Sequence, residues 1–172
     1  MLTNNINFKD FSFKKSSKKI SNIFKNLITE DNPILKSLEK SYKDNYKKKT
    51  ILKFKNFSEI LIIGMGGSVL GARSIYSFLK EGIKKKFHFV DDLELIKIDK
   101  SKKKKLYLII SKSGNTLETI SNSNVLLKKG DKNIFITENK DNYLINLAKK
   151  MKSEIVHHNN FIGGRYSVLS EV

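Results

Sequence analysis

The spacing of apolar residues divides this 172-residue chain into two parts. Over residues 1–50 the apolar positions repeat at helical spacing, and the run Asp31-Asn32-Pro33 separates two such stretches. The pattern therefore predicts a helical amino-terminal arm with two amphipathic helices. The apolar positions of the first helix are Phe13, Ile20, Ile23, Phe24, Leu27 and Ile28, and those that begin the second are Leu35, Leu38 and Tyr42.

From residue 51 to residue 172, short apolar runs alternate with amphipathic stretches. The runs are too short for buried helices and are rich in Ile, Val, Phe and Tyr, which is typical of strands. The predicted strands are Ile60–Ile63, Phe87–Val90, Leu106–Ile110, Asn133–Thr137 and Glu154–His157. The predicted helices are Val69–Lys80, Asp92–Ile98, Leu117–Lys128 and Asn142–Lys150.

This alternation predicts an α/β fold. Strands that are apolar on both faces and separated by helices indicate a parallel sheet with helices on both sides. The right-handed crossover rule then favours a doubly wound αβα sandwich whose five strands lie in the order 2-1-3-4-5. Since no repeat and no Pro-, Gly- or Ser-rich linker interrupts residues 51–172, we expect them to form one domain after the arm.

The charge balance changes the choice of partners. The formal net charge is +17, but almost all of the basic residues are lysines, and the only arginines are Arg73 and Arg165. Nucleic-acid-binding proteins rely on arginine and on interleaved aromatic side chains, so we expect no nucleic-acid partner. The positive field instead favours small anionic substrates.

Other classes are excluded by what the sequence lacks. It has no cysteine and only three histidines, so we expect no disulfide framework and no metal site. It shows neither a secretory signal pattern nor an apolar run of about 20 residues, the length that spans a bilayer. We therefore expect a cytoplasmic protein with no membrane contact.

Two glycine- and hydroxyl-containing loops carry the candidate chemistry. The first, Gly64 to Ser68, follows a predicted strand and opens a helix, so backbone N–H groups and the Ser68 hydroxyl can face an anion. The second, Ser111 to Thr116, also lies between a strand and a helix and contains three hydroxyls. Because both loops follow neighbouring strands at the point where chain direction reverses, we expect them to face one crevice.

Three other interpretations of these loops were compared with the sequence. A dinucleotide-binding fingerprint requires glycine three positions after Gly66, where Val69 stands, and no Gly-Lys-Ser/Thr tripeptide of a Walker loop is present. Helix capping by Ser68 or Thr116 explains one hydroxyl in each loop but does not explain Ser111 and Ser113. The sequence therefore favours a phosphate site and disfavours nicotinamide and ATP.

At this point three segments resemble a known family. Ser111-Lys112-Ser113-Gly114-Asn115-Thr116 resembles the phosphate loop of SIS domains, the sugar isomerase fold. The segment from Gly64 to Gly71 is similar to the first signature of glucose-6-phosphate isomerases, and that from Gly163 to Ser170, Gly-Gly-Arg-Tyr-Ser-Val-Leu-Ser, is similar to their later one. The resemblance covers residues 51–172, whereas the arm carries no diagnostic motif.

The resemblance implies an enzyme that interconverts glucose 6-phosphate and fructose 6-phosphate in glycolysis and gluconeogenesis without a cofactor or metal. It also implies roles for individual residues. Arg165 would stabilise the charge that develops at the reacting end of the sugar. The residues implied to bind the substrate phosphate are Gly67, Ser68, Ser111, Lys112, Ser113 and Thr116.

The family's proton-transferring Glu, ring-opening His and late Lys follow the arginine signature in the family pattern. Neither Glu118 nor Glu171 matches the motif of the base, and His157 and His158 precede the arginine signature. We therefore expect an incomplete chain that lacks the second SIS domain and is inactive alone, and a homodimer for the intact protein. Two alternatives stay open: a non-catalytic SIS module that senses a phosphosugar, and an isomerase of another sugar phosphate.

Overall fold

The computed structural model describes residues 17–93 and 104–170. Three helices precede the sheet, and three others connect its strands. The first three are α1 (Lys18–Thr29), α2 (Pro33–Lys36) and α3 (Lys48–Lys53), and the others are α4 (Gly67–Leu79), α5 (Leu117–Leu126) and α6 (Tyr143–Met151). Short 3-10 helices occur at Lys80–Gly82 and Ser167–Leu169.

The described strands form a five-stranded parallel sheet. They are β1 (Glu59–Ile63), β2 (Lys86–Val90), β3 (Lys105–Ile110), β4 (Lys132–Glu138) and β5 (Glu154–His158). Their order is β2-β1-β3-β4-β5, which confirms the predicted doubly wound α/β fold. Each predicted strand forms. Where an observed end differs from the predicted one, it differs by one residue, because the backbone of the flanking residue, in most cases a lysine or a glutamate, also joins the ladder.

Helices cover both faces of the sheet. Ile60 and Ile62 of β1 point to one face, where they pack with Val69 of α4. Leu61 and Ile63 point to the other face, which is packed by α5 and α6. All five residues of β1 are buried, as expected for a strand with a neighbour on each side and helices above and below.

The second helix predicted for the arm is wrong in its extent. It ends at Lys36, and the chain continues in turns in which Leu38, Glu39 and Tyr42 donate to carbonyls three residues earlier. Asn32 caps its start, but the Ser37 hydroxyl donates to the Ile34 carbonyl at 2.6 Å and so competes with the helical pattern. The apolar spacing of Leu35, Leu38 and Tyr42 therefore reflects turns and not a continuous helix.

Two predicted features lie partly outside the described residues. These are the start of the first arm helix at Phe13 and most of the helix predicted at Asp92–Ile98. Within residues 17–93 and 104–170, no helix combines the length and apolar character required to cross a bilayer.

Candidate functional site

The two predicted loops begin side by side at one edge of the sheet. Ile63 at the end of β1 pairs with Ile109 of β3, so Gly64 and Ile110 are neighbours. A Cβ atom on Gly64 would lie only 2.8 Å from the Ile110 carbonyl oxygen. The first loop therefore depends on glycine where it passes the start of the second, and both loops open on the same edge, as the strand order predicts.

The helices that leave these loops lack the side-chain caps found on the other long helices. In α1 and α6, the side chains of Ser17 and Asn142 accept a hydrogen bond from the first turn. The N-cap positions of α4 and α5 are Gly66 and Thr116, and neither helix has a side-chain cap bond. Among the described helices of nine or more residues, only these two begin without a side-chain cap, and both begin at the switch point of the sheet. In α4 the Ser68 and Val69 N–H groups donate to the Met65 and Gly66 carbonyls instead.

The hydroxyls of the second loop form a directed network. The Gly114 N–H donates to Ser111 Oγ at 3.2 Å, and Ser111 Oγ lies 2.8 Å from Thr116 Oγ1. Because Ser111 Oγ already accepts a hydrogen bond from the Gly114 N–H, its own hydroxyl can donate to Thr116, whose hydroxyl is then free to donate outward. Similarly, the Asn115 N–H donates to Ser113 Oγ at 3.3 Å. Ser113 Oγ also lies 3.5 Å from Ser111 Oγ, at the limit of a hydrogen bond, so the Ser113 hydroxyl can turn its proton to a ligand.

Burial separates the roles of the three hydroxyl residues. Ser111 is 1% exposed, and its N–H donates to the Ile136 carbonyl of β4. Ser113 is exposed and Thr116 half-buried. The network therefore starts from a buried serine and ends in two hydroxyls at the surface of the crevice, an arrangement of donors that suits an oxyanion.

The first loop contributes Gly67 and Ser68 from the opening turn of α4. Gly66 adopts φ 55° and ψ −121°, a backbone conformation open to glycine but strained for other residues. Ser68 is the second residue of α4, so it follows the N-cap and its half-buried side chain is not the cap. The capping interpretation therefore explains neither Ser68 nor Thr116.

The segment that carries Arg165 packs against the first loop. A Cβ on Gly67 would lie 2.1 Å from the Gly164 carbonyl oxygen, and Ser167 Oγ donates to the same oxygen at 2.7 Å. One turn later, a Cβ on Gly71 would lie 1.8 Å from the Val168 carbonyl oxygen. These contacts bring Arg165 next to the N-terminus of α4 and leave its side chain exposed.

Lys112 has a carboxylate neighbour. Its ammonium lies 4.0 Å from Glu138 Oε2, which is also 3.5 Å from the Lys140 ammonium. The Glu138 side chain is 12% exposed and its Oε2 atom has no hydrogen-bond partner among the described residues. The positive charge of Lys112 is therefore partly balanced, and the neutral hydroxyls remain the principal donors of the second loop.

His157 and His158 are the last two residues of β5. His158 is 2% exposed and its Nε2 atom lies 3.2 Å from the Ile162 carbonyl oxygen. His157 is half-buried in the same strand. In the part of the chain that the structure describes, no group of three or more His, Asp or Glu side chains is arranged to hold a metal ion.

Two asparagines with no role predicted from the sequence join the second loop to the start of α6. The amide of Asn142 fills the space next to Gly114, which has φ 67°, and Asn115 accepts a hydrogen bond from the start of α6. The position of Asn142 at the start of a predicted helix indicates an N-cap. Its contact with the loop depends on the packing of α6 beside β4 and could not be seen in local sequence.

Comparison with known proteins agrees with this arrangement. The family model described as phosphoglucose isomerase matches residues 12–172. A glucose-6-phosphate isomerase of Borreliella afzelii is 32% identical over 140 residues, which cover 69% of this chain and 26% of that protein. The chain thus spans about a quarter of the length of this curated relative.

Solved structures share the fold. A hypothetical protein from Thermus thermophilus superposes with a TM-score of 0.58 and 26% identity over 66% of this chain and 31% of its own. The tagatose-6-phosphate ketose/aldose isomerase from Escherichia coli superposes with a TM-score of 0.51 and 18% identity, covering 70% of this chain and 36% of that one. At 18% identity the second likeness supports the fold alone.

Proposed function

Because this chain belongs to the phosphoglucose isomerase family, we propose that it carries the phosphate-binding site of an enzyme that interconverts glucose 6-phosphate and fructose 6-phosphate. The observation that supports this most directly is the pair of helices α4 and α5, which start at the switch point without side-chain caps. Their positive ends and the two outward hydroxyls together suit a sugar phosphate.

In this proposal the phosphate is held mainly by neutral donors. The Ser113, Thr116 and Ser68 hydroxyls and the backbone N–H groups of Gly67 and Lys112 donate to its oxygens. Ser111 acts behind Thr116, since it is buried and orients that hydroxyl. Neutral donors stabilise a bound dianion without the fixed charge that would slow its release.

Arg165 is proposed to act at the sugar and not at the phosphate. Isomerisation moves a proton between carbons 1 and 2 through an enediolate, whose negative charge a nearby guanidinium stabilises. The contact between Gly67 and Gly164 supports this role because it fixes the arginine segment beside the phosphate loop. The base that transfers the proton is not assigned to any residue of this sequence.

The domain organisation of the chain and the pathway, location and assembly of the complete protein are also proposals. Residues 1–50 would form a helical arm and residues 51–172 the sugar-phosphate-binding domain, with α3 (Lys48–Lys53) crossing the boundary between them. The complete enzyme would act in glycolysis and gluconeogenesis in the cytoplasm, as a homodimer. These statements extend the family assignment to a protein of which the chain matches about a quarter.

Calorimetric titration of the 172-residue chain tests the site. We expect saturable one-site binding of glucose 6-phosphate and fructose 6-phosphate and none of glucose. Ser113→Ala and Thr116→Val should each weaken binding by about tenfold or more, because each removes a hydrogen bond to a charged group. Ser77→Ala, which removes an exposed hydroxyl elsewhere on α4, is the matched control and should leave the affinity unchanged.

One outcome would count against the proposed site, and another against the expectation that the chain is inactive alone. Binding that survives both substitutions and disappears in high salt would indicate attraction to the lysine-rich surface in place of a phosphate site. Isomerisation by the 172 residues at a rate comparable to complete family members would show that the proton-transferring base lies within this sequence, contrary to our expectation.

A further inference from the structure

The start of α6 binds the second loop, although it lies 28 residues away from it in the sequence. The Tyr143 N–H donates to Asn115 Oδ1 at 3.0 Å, and the Leu144 N–H donates to the Gly114 carbonyl at 3.1 Å. Both N–H groups belong to the first turn of α6. In α4 and α5 the first turn has no side-chain cap. The positive end of α6 is therefore directed at the loop itself and not at the crevice.

A single amide joins α6, β4 and the loop. Asn142 is 5% exposed, and its Oδ1 atom accepts from the Ile145 N–H at 2.9 Å. Its Nδ2 atom lies 2.9 Å from the Lys140 carbonyl oxygen and 3.2 Å from Thr137 Oγ1. The same amide occupies the place where a Cβ on Gly114 would fall, 2.1 Å from Oδ1.

Gly114 and Asn115, the two loop residues that α6 contacts, also orient the hydroxyls of the loop. The Gly114 N–H donates to Ser111 and the Asn115 N–H to Ser113, so the direction of both hydroxyl paths depends on these two residues. A rotation of the Gly114–Asn115 peptide would turn the Asn115 N–H away from Ser113. The Ser113 hydroxyl would then no longer be held with its proton directed outward. The position of this peptide is set by Leu144 from one side and by the Asn142 amide from the other.

We propose that Asn142 is a positioning residue of the phosphate site: without touching the ligand, it holds Gly114 and Asn115 so that Ser113 and Thr116 donate outward. This inference rests on the proposed function. It assigns to α6 the task of fixing the loop, while α4 and α5 face the phosphate.

The test compares Asn142→Ser with Asn146→Ser in the 172-residue chain. Serine at position 142 keeps a capping oxygen for α6 but loses the Nδ2 donors and the bulk beside Gly114. Asn146 is an exposed amide on the same helix and serves as the matched control. We expect Asn142→Ser to weaken binding of both inorganic phosphate and glucose 6-phosphate by about tenfold, and Asn146→Ser to leave both affinities unchanged.

A second readout separates positioning from a loss of stability. Titrations are done at a temperature where the circular dichroism of each variant matches that of the wild type, so that only folded protein is compared. Nuclear magnetic resonance then follows the Gly114 and Asn115 amide signals. In Asn142→Ser these signals should shift and exchange faster with solvent, whereas a merely structural role would leave the affinity of the folded protein unchanged.

The outcomes are distinguishable. Folded Asn142→Ser with wild-type affinity would overturn this inference, while failure of the wild-type chain itself to bind phosphate would overturn the proposed function. If Asn142→Ser does not fold, Asn115→Ala replaces it, because Asn115 is exposed and its removal deletes the acceptor for Tyr143. That variant should bind phosphate several-fold more weakly, and an unchanged affinity would again contradict the proposal.

Discussion

Gly71 is the residue at which the packing of the arginine segment is tightest. A Cβ there would lie 1.8 Å from the Val168 carbonyl oxygen, which is backbone and cannot move aside as a side chain tip could. The glycine is buried and helical, so its value lies in close approach and not in unusual backbone angles. Glycine lowers the stability of a helix interior because of its low helix propensity, but here it allows this close contact.

We predict that Gly71→Ala destabilises the folded chain by about 1–3 kcal/mol, because the added methyl group forces the Val168 backbone away from α4. Urea unfolding followed by circular dichroism measures the change. Gly82→Ala is the control, since a Cβ at Gly82 meets nothing within 4 Å. Equal unfolding midpoints for Gly71→Ala and the control would show that the segment moves away from α4 without cost.

The sequence predicts which hydroxyl residues lie in the candidate site, but not how their roles differ. Three hydroxyls in six residues between a strand and a helix indicated an anion site. That Ser111 is buried and serves Thr116 follows from the path of the loop over β4, to which Ser111 donates its N–H. The role of Asn142 depends on a tertiary contact, and a single sequence contains no local signal for it.

At the scale of elements, the strands were easier to predict than the arm. The apolar runs of β1, β3 and β4 are largely buried in the sheet, and those of the edge strands β2 and β5 are partly buried. In the arm, α1 has no buried residue, so its apolar spacing is not tied to a core. The segment after α2 shows the same difficulty, because local hydrogen bonds of Ser37 decided its structure against the helical pattern.

The edge strand β2 contains a histidine with an altered protonation equilibrium. Burial of His88, and secondarily the neighbouring Lys86 charge, lower its pKa below the ordinary value of 6.5. Glu59 and Lys105 also face it from β1 and β3 and have opposing effects on its pKa. Since the unfolded chain binds this proton more readily than the folded chain, His88 lowers stability as the pH falls below that ordinary value.

We therefore predict that His88→Gln makes stability less sensitive to acid. Urea unfolding midpoints would be measured for both proteins at pH about 7.5 and about 5.5, on either side of the ordinary histidine pKa. The wild type should lose more stability than the variant between these values, because only the wild type must keep His88 unprotonated in the folded state. Parallel losses would contradict the altered pKa of His88.

At the scale of the whole molecule, several large apolar side chains lie on the surface. In α1, Ile20, Ile23 and Phe24 are each at least 58% exposed, and Phe78 of α4 is 87% exposed. Single exposed apolar residues are ordinary, but here they form the apolar face of one helix and the outer face of another. The net charge of +17 opposes the approach of two such surfaces.

We predict that the 172-residue chain self-associates as its concentration rises, and that added salt strengthens this association by screening the lysine charges. Sedimentation velocity over a concentration series measures it. Phe24→Ser and Phe78→Ser together should shift the chain towards monomer, whereas Ser77→Ala, next to Phe78, should not. A monomer at every concentration and salt level would show that these faces do not attract one another.

The central position of β1 has a consequence for synthesis on the ribosome. All five of its residues are buried in the finished sheet, yet both of its neighbours come later in the chain, and Glu59 at its start pairs with Lys105. Until those neighbours emerge, Ile60 to Ile63 form an unpaired apolar run of the kind that joins other chains. Lysine runs at 84–86 and 102–105 in the sequence lead into the two pairing strands. Such charges repel other nascent polypeptides and so oppose aggregation. This role of the lysine excess is separate from the attraction of any substrate.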